Sequence, residues 1–189
     1  MTQAVTLSTR GSGRGAASPC RRSQSRGVTL VEMMIVVIIV AIIAVVAVPS
    51  FNSYFERQRV KRAAEDIYGL LLQAKSEGPI RDDDMSVTVD SDTWCIGFSA
   101  TAGCACAEAG CSINVAGTNV VQVVSGADYP GVSISGLAGT TFNRLRGTAS
   151  TSGNITVASG GYSLQVQVSP EGRIRICNPN GDSVGYDQC

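Results

Sequence analysis

The sequence predicts an α+β protein, with one long N-terminal hydrophobic helix packed on an antiparallel β domain. Three observations carry this. Residues 33–48 are sixteen apolar residues without a break. Residues 50–77 continue with apolar positions at a mostly three-to-four spacing. From residue 80 the period changes to two, with Gly, Ser, Thr and Asn filling the gaps. The 189 residues suffice for one ordinary domain with some excess. An apolar fraction of 44% supports a buried core and argues against disorder. The chain has no His. That excludes a Ser-His-Asp triad, a Cys-His nucleophile pair and a His-ligated metal, and no Gly-rich phosphate loop or ordered carboxylate pair is evident. The reading is therefore of a protein that is not an enzyme and carries no cofactor, no metal and no small-molecule substrate.

Charge is distributed unevenly. Residues 1–27 hold five arginines and no acid, whereas residues 28–189 hold ten basic and fifteen acidic residues. A positive flank ahead of an apolar run stays in the cytoplasm, which places the rest outside. The run from Val28 to Val48 is interrupted only by Thr29 and Glu32. As a helix it would span about 31 Å, close to the hydrocarbon thickness of a bilayer. A secretory signal peptide is the rival reading. The run is too long for it, contains a Glu, and lacks a small-x-small cleavage site before a polar start. A simple anchor has no use for Glu32, since an ionisable group in such a segment points to function.

Arg26-Gly27-Val28-Thr29-Leu30-Val31-Glu32, followed by a long apolar helix, resembles the class III signal of type IV prepilins and type II secretion pseudopilins. The resemblance implies cleavage by a prepilin peptidase after Gly27 and N-methylation of Val28. It also implies a pilin-like fold and assembly with other pilins through the N-terminal helix. Glu32 and Pro49 fall on the family's mature Glu and Pro positions. Val28 departs from the usual Phe at the first mature position. In a fibre, the amine of Val28 on one subunit could meet Glu32 of a neighbour, and breaking such a pair in a low-dielectric core is costly. The implied domains are a leader over 1–27, a helix over 28–77 with 28–48 transmembrane, and a disulfide-stapled β domain over 78–189. The implied location is a single pass of the inner membrane with a periplasmic C-terminal domain, then the fibre.

After Pro49 the apolar positions Phe51, Tyr54, Phe55, Val60, Ala63, Ala64, Ile67, Leu70, Leu71 and Ala74 continue the helix, and Gly78-Pro79 is expected to stop it. Arg57, Arg59, Lys61 and Arg62 form a basic cluster: a solvated face or partners of neighbouring acids, with contact to lipid head groups as the alternative. Expected strands are Met85–Val89, Trp94–Phe98, Asn119–Val124, Gly131–Ser135, Asn154–Ala158, Tyr162–Val168 and Arg173–Cys177.

Cys20 lies in the leader, and six cysteines remain, an even number in an oxidising compartment. Cys177 and Cys189 enclose a turn-rich loop, and a bond there would contribute about 3 kcal/mol. Cys95, Cys104, Cys106 and Cys111 supply two more bonds whose pairing is open at this point. A four-cysteine zinc site is disfavoured, because the spacing lacks paired C-x2–4-C knuckles.

Arg144 and Arg146, and likewise Arg173 and Arg175, would share a strand face about 6.5–7 Å apart and suit successive phosphates. Pairing with Asp128, Glu171, Asp182 or Asp187 is the structural alternative. These segments, with Trp94-Cys95 and the C-terminal Cys pair, resemble FimT/FimU-like minor pilins, relatives of the GspH pseudopilins. The resemblance implies a minor type IV pilin that primes assembly near the fibre tip. Gly172, Arg173, Ile174 and Arg175 match a G-R-x-R motif with which some FimT-like proteins contact DNA during uptake. A GspH-like pseudopilin of type II secretion is the alternative.

Overall fold

A computed structural model describes residues 27–108, 110–181 and 185–189, with the side chains of 46–50 and of residue 107 outside that description. Residues 1–26 of the expected leader over 1–27, with Cys20, lie outside the described residues, as does Asp182. The chain divides into two compact units, Met1–Ile42 and Ile43–Cys189. One helix, α1 (Leu30–Arg81), contributes to both.

In the first unit α1 starts at Leu30 rather than Val28. Thr29 accounts for this: its hydroxyl accepts the Glu32 N–H at 3.2 Å, and its carbonyl accepts the Met33 N–H at 3.2 Å. That is the N-cap geometry, which makes Leu30 the first helical residue, two beyond Val28. Helix α1 runs from Leu30 through the rest of the expected span over 28–48 without a break. Among the described residues no helix is long and apolar enough to cross a membrane.

In the second unit α1 runs through Pro49 and past Gly78-Pro79 to Arg81, beyond the expected stop. The end is set by Asp82, which takes the left-handed conformation (φ 55°). The Asp83 N–H then reaches back to the Gly78 carbonyl at 3.2 Å. This is a Schellman closure with Asp in the place usually held by Gly. Pro79 lies in this last turn, and Gly78 allows the backbone of Arg144 to approach: a Cβ there would lie 3.3 Å from the Arg144 Cα.

Ten strands follow. One sheet has the order β5-β2-β1-β7, built from β1 (Met85–Asp90), β2 (Cys95–Ser99), β5 (Val123–Ser125) and β7 (Gly139–Phe142). The second has the order β10-β9-β8-β6, from β6 (Ser133–Gly136), β8 (Gly153–Ser159), β9 (Tyr162–Val168) and β10 (Ile174–Cys177). β3 (Ser112–Val115) and β4 (Thr118–Val121) form a separate hairpin. All the pairings are antiparallel. Register follows the buried alternation, with Val87 opposite Phe98 and Val89 opposite Ile96.

The core joins one stripe of α1 to both sheets. Val60, Ala63, Ala64, Ile67, Leu70, Leu71 and Ala74 are buried with Phe98, Phe142, Ile155, Leu164 and Val166. The three alanines leave room for close packing, while Phe51, Tyr54 and Phe55 of the expected stripe stay exposed. The expected strand Asn119–Val124 is two strands. At Gln122 the chain changes partner, its N–H going to the Cys111 carbonyl and its carbonyl accepting from Phe98. β3 and β7 were not expected; β7 reads Gly-Thr-Thr-Phe, and its Gly139 lies so close to the Val87 carbonyl that a Cβ would sit 2.6 Å away.

All six cysteines outside the leader are bonded: Cys95–Cys106, Cys104–Cys111 and Cys177–Cys189. The first two bonds interlock. Cys111 sits directly on β2, where a Cβ at Gly97 would meet its sulfur at 2.6 Å.

Candidate functional site

Gly27 and Val28 precede the helix, in backbone without regular structure, and both are exposed. A bond between them is therefore open to a peptidase, whereas a bond inside α1 would first have to be unwound. Glu32 lies in the first turn, its N–H held by Thr29. A carboxylate there faces the positive end of the helix dipole. Thr29-x-x-Glu32 has the capping-box spacing. That signal was present in the sequence, and the reading that took Glu32 only as a charge-pair partner passed over it. Behind it, the side chains from Leu30 to Val45 are apolar apart from Glu32 and are exposed on every face, Leu30 at 76% and Val45 at 75%. An apolar surface of this extent marks an interaction site.

The basic cluster on α1 is largely used within the chain. Arg57 stacks over the Tyr162 ring at 4.3 Å, Arg59 donates to the Pro130 carbonyl at 3.2 Å, and Lys61 lies 3.8 Å from Glu65. Two tyrosines latch loops onto adjacent helix carboxylates. The Tyr186 hydroxyl donates to Glu65 at 2.6 Å, and the Tyr129 hydroxyl donates to Asp66. Burial first, then the carboxylate, pushes Tyr186 up to about 12, and the same causes raise Tyr129. Trp94 stacks on Tyr129 and donates to the Val132 carbonyl at 2.8 Å.

The arginine pairs differ from expectation in one half. Arg144 and Arg146 are not on a strand. They lie in a turn capped by Asn143, whose side-chain oxygen accepts the N–H groups of Leu145 and Arg146. Arg144 pairs with Asp82 at 3.3 Å and donates to its carbonyl at 3.0 Å, while Asp84 accepts the Arg144 N–H. Its partner is thus Asp82, not one of the acids expected from sequence. The turn after β7 is held to the end of the helix by two aspartates, Asp82 and Asp84.

Arg173 and Arg175 do share the exposed side of β10 and its lead-in, with Ile174 buried between them. Arg175 Nε donates to Gln167 on β9 at 2.7 Å. The two arginines line an open hollow of about 360 Å³ with Asn154, Gln167, Ser169 and Glu171. Glu171 is held below its ordinary value by its own backbone N–H, then by the Ser169 hydroxyl and, more weakly, by Arg173. Gly172 has a structural reason of its own. It takes φ 73°, a Cβ would lie 1.8 Å from the Gly147 carbonyl, and its carbonyl accepts from Lys75 at 2.8 Å. The fold therefore brings the backbones of the two arginine segments together at Gly147 and Gly172. Among the described residues no group of His, Cys, Asp and Glu could hold a metal ion.

A family model described as type II transport protein GspH matches residues 63–172, and one described as the prokaryotic N-terminal methylation motif matches residues 22–48. Among solved structures, the type IV minor pilin FimU of Pseudomonas aeruginosa is similar at 17% identity, over 65% of this chain and 91% of its own, with a TM-score of 0.47. The minor pseudopilin EpsH of the type 2 secretion system of Vibrio cholerae is similar at 19% identity, over 64% of this chain and 98% of its own, with a TM-score of 0.49. No curated protein matches the sequence.

Proposed function

The chain belongs to the GspH family of type II transport proteins, and from that premise we propose that it is a minor type IV pilin, a fibre subunit that helps start assembly at or near the tip. The observation that carries this reading is the helix surface from Leu30 to Val45, apolar and exposed all round, directly behind Gly27, Val28 and Glu32. Removal of residues 1–27 by prepilin peptidase leaves an amine at Val28, and methylation keeps its charge. The apolar segment rests in the inner membrane before assembly, with the β domain on the periplasmic side. In the fibre it packs among equivalent helices of other pilins, where Glu32 meets the Val28 amine of a neighbour. The work is association, not catalysis.

Two experiments test this. Gly27→Leu leaves an uncleaved precursor on an immunoblot, and the wild-type mature chain begins at Val28 by mass spectrometry; normal maturation of the variant contradicts the cut site. Glu32→Ala inserts in the membrane but is lost from sheared fibres, so normal incorporation removes the charge-pair role.

A second reading, a pseudopilin of type II secretion, is favoured by the description of the matching family model. Deletion of the gene separates the two: loss of twitching with intact secretion supports the pilus, and the reverse supports the secretion system. Arg173 and Arg175 support a further contact with DNA, with Arg146 as an outlying helper and Arg144 already held by Asp82. With so few phosphates neutralised, such a contact is weak and salt-dependent.

A further inference from the structure

We propose that the strand edge running from Val121 to Ser125, beside α1, is a docking site for an extended protein segment in which apolar residues alternate with basic ones. β5 ends its sheet, and among the described residues no strand or isolated bridge pairs with its outer side. The register sets Ile96 opposite Val124. On either side of that pair, the Gly126 N–H donates to the Trp94 carbonyl at 2.7 Å and the Phe98 N–H to the Gln122 carbonyl at 3.1 Å. Antiparallel pairs alternate between hydrogen-bonded and non-hydrogen-bonded kinds. Gln122, Val124 and Gly126 therefore turn their backbone groups toward β2, and Val123 and Ser125 turn theirs to the open side. Val121 does the same at the end of β4, because Gln122 beside it gives its N–H to the Cys111 carbonyl on the paired side. The stretch from Thr118 to Ser125 contains no charge and no Pro, and all four residues of β4 are exposed. Edges that stay in water usually carry charge or Pro against unwanted pairing; this one carries neither.

Beside this edge lies a hollow of about 420 Å³ whose lining includes Asp66, Gly69 and Gln73 of α1, Val121 and Val123 of the edge, and Asp128. The C-terminal segment lies elsewhere: Tyr186 gathers Glu65, Tyr68, Ile174, Arg175 and Ile176, none of which lines this hollow. A strand added to β5 would direct alternate side chains into the hollow and the others to the opposite face, beside Val121 and Val123. Apolar residues suit the second set, since Val121 is 49% exposed and would be covered. Charge selects the first set. Space is available at Gly69, where a Cβ would meet nothing within 4 Å. Both charged residues of the lining are acids. Asp66 already accepts from the Tyr129 hydroxyl, whereas Asp128 forms no ion pair among the described residues. Arg62, whose charge reaches Tyr129, is not part of the lining. Asp128 is left as the principal anchor for an incoming ammonium or guanidinium. The site lies wholly in the second unit and does not depend on what fibre the chain joins.

The test uses the full chain in detergent micelles with two soluble synthetic peptides, one alternating Val with Lys and one alternating Val with Glu. Amide hydrogen exchange is read by NMR. At a Val/Lys peptide concentration about ten times its Kd, exchange at Val123 and Ser125 slows about tenfold, and the Val124 amide, already paired to β2, changes little. Asp128→Lys abolishes the slowing. Gly69→Leu, which fills the hollow from the helix side and leaves the edge itself unaltered, abolishes it as well; should one variant fail to fold, the other carries the same test. Absence of slowing in the wild type, equal slowing by the Val/Glu peptide, or persistence of the slowing in a folded variant each overturns the proposal. Slowing without peptide that grows with protein concentration would put a second copy of the chain on the edge and overturn it too.

Discussion

Two stretches of α1, Leu30–Val45 and Val60–Ala74, are both rich in apolar residues and meet different surroundings. The first carries Val, Ile, Met and Leu on all faces, and every one is exposed. The second gathers most of its apolar residues in a stripe in which Val60, Ala63, Ala64, Ile67, Leu71 and Ala74 are fully buried, with Leu72 exposed. Its other face and the turn before it carry Arg57, Arg59, Lys61, Glu65 and Asp66, several of which hold surrounding loops by stacking and hydrogen bonds. A stripe is what one packed sheet layer needs; an apolar surround is what a set of neighbouring helices or lipid needs. The second stretch contributes to folding, and on the function proposed above the first contributes to association.

Paired substitutions probe this contrast most sharply. Ile67→Ala deletes atoms from the core and costs roughly 2–5 kcal/mol in thermal or denaturant unfolding of the β domain. Ile39→Ala, the same change on the exposed stretch, leaves that transition unmoved and lowers incorporation into fibres. Equal unfolding costs at the two positions would break the distinction. At the far end of the chain, replacing Cys177 and Cys189 by Ser lowers stability by about 3 kcal/mol on the loop-entropy account. The helix register around Glu32 is unaffected, as the ratio of cleaved to uncleaved chain would show.

The smallest effect comes from the tyrosine latches. The Tyr186 hydroxyl has a pKa raised from about 10 to about 12 in the folded chain. The folded state therefore holds that proton more tightly, and the latch contributes fully below about pH 10 and is lost as pH rises toward 12. Tyr186→Phe flattens this alkaline decline, measured as the pH dependence of the unfolding midpoint. An unchanged slope would mean that the latch contributes nothing there.

Three strands of the second sheet were legible because their alternation is regular: Tyr162–Val168 has its expected bounds, β8 is longer by one residue at each end, and β10 is shorter by one at its start, whereas β6 starts two residues late and ends one late. The apolar run and the buried stripe were legible for the same reason. The end of α1 was not, because Asp82 adopts a conformation more often reserved for Gly, and no local signal marks it. β7 escaped because Gly139 and two threonines weaken the apolar alternation, although Thr140 and Phe142 are buried in period two. The division at Gln122 depends on Cys111 and Phe98, distant in sequence, so no local pattern could announce it. For the candidate site, the exposed pair Arg173 and Arg175 followed from strand periodicity. Arg144 did not, because its turn is set by aspartates at the end of a helix some sixty residues earlier.

The crossed bonds Cys95–Cys106 and Cys104–Cys111 bear on biogenesis. An oxidant joining thiols in the order in which they emerge would link Cys95 to Cys104 first and strand the remaining two as a separate ring. Reaching the native pairing from there requires thiol–disulfide exchange, so yield during export depends on an isomerase as well as an oxidase. A host lacking that proofreading activity would accumulate scrambled chains with a correctly processed N-terminus.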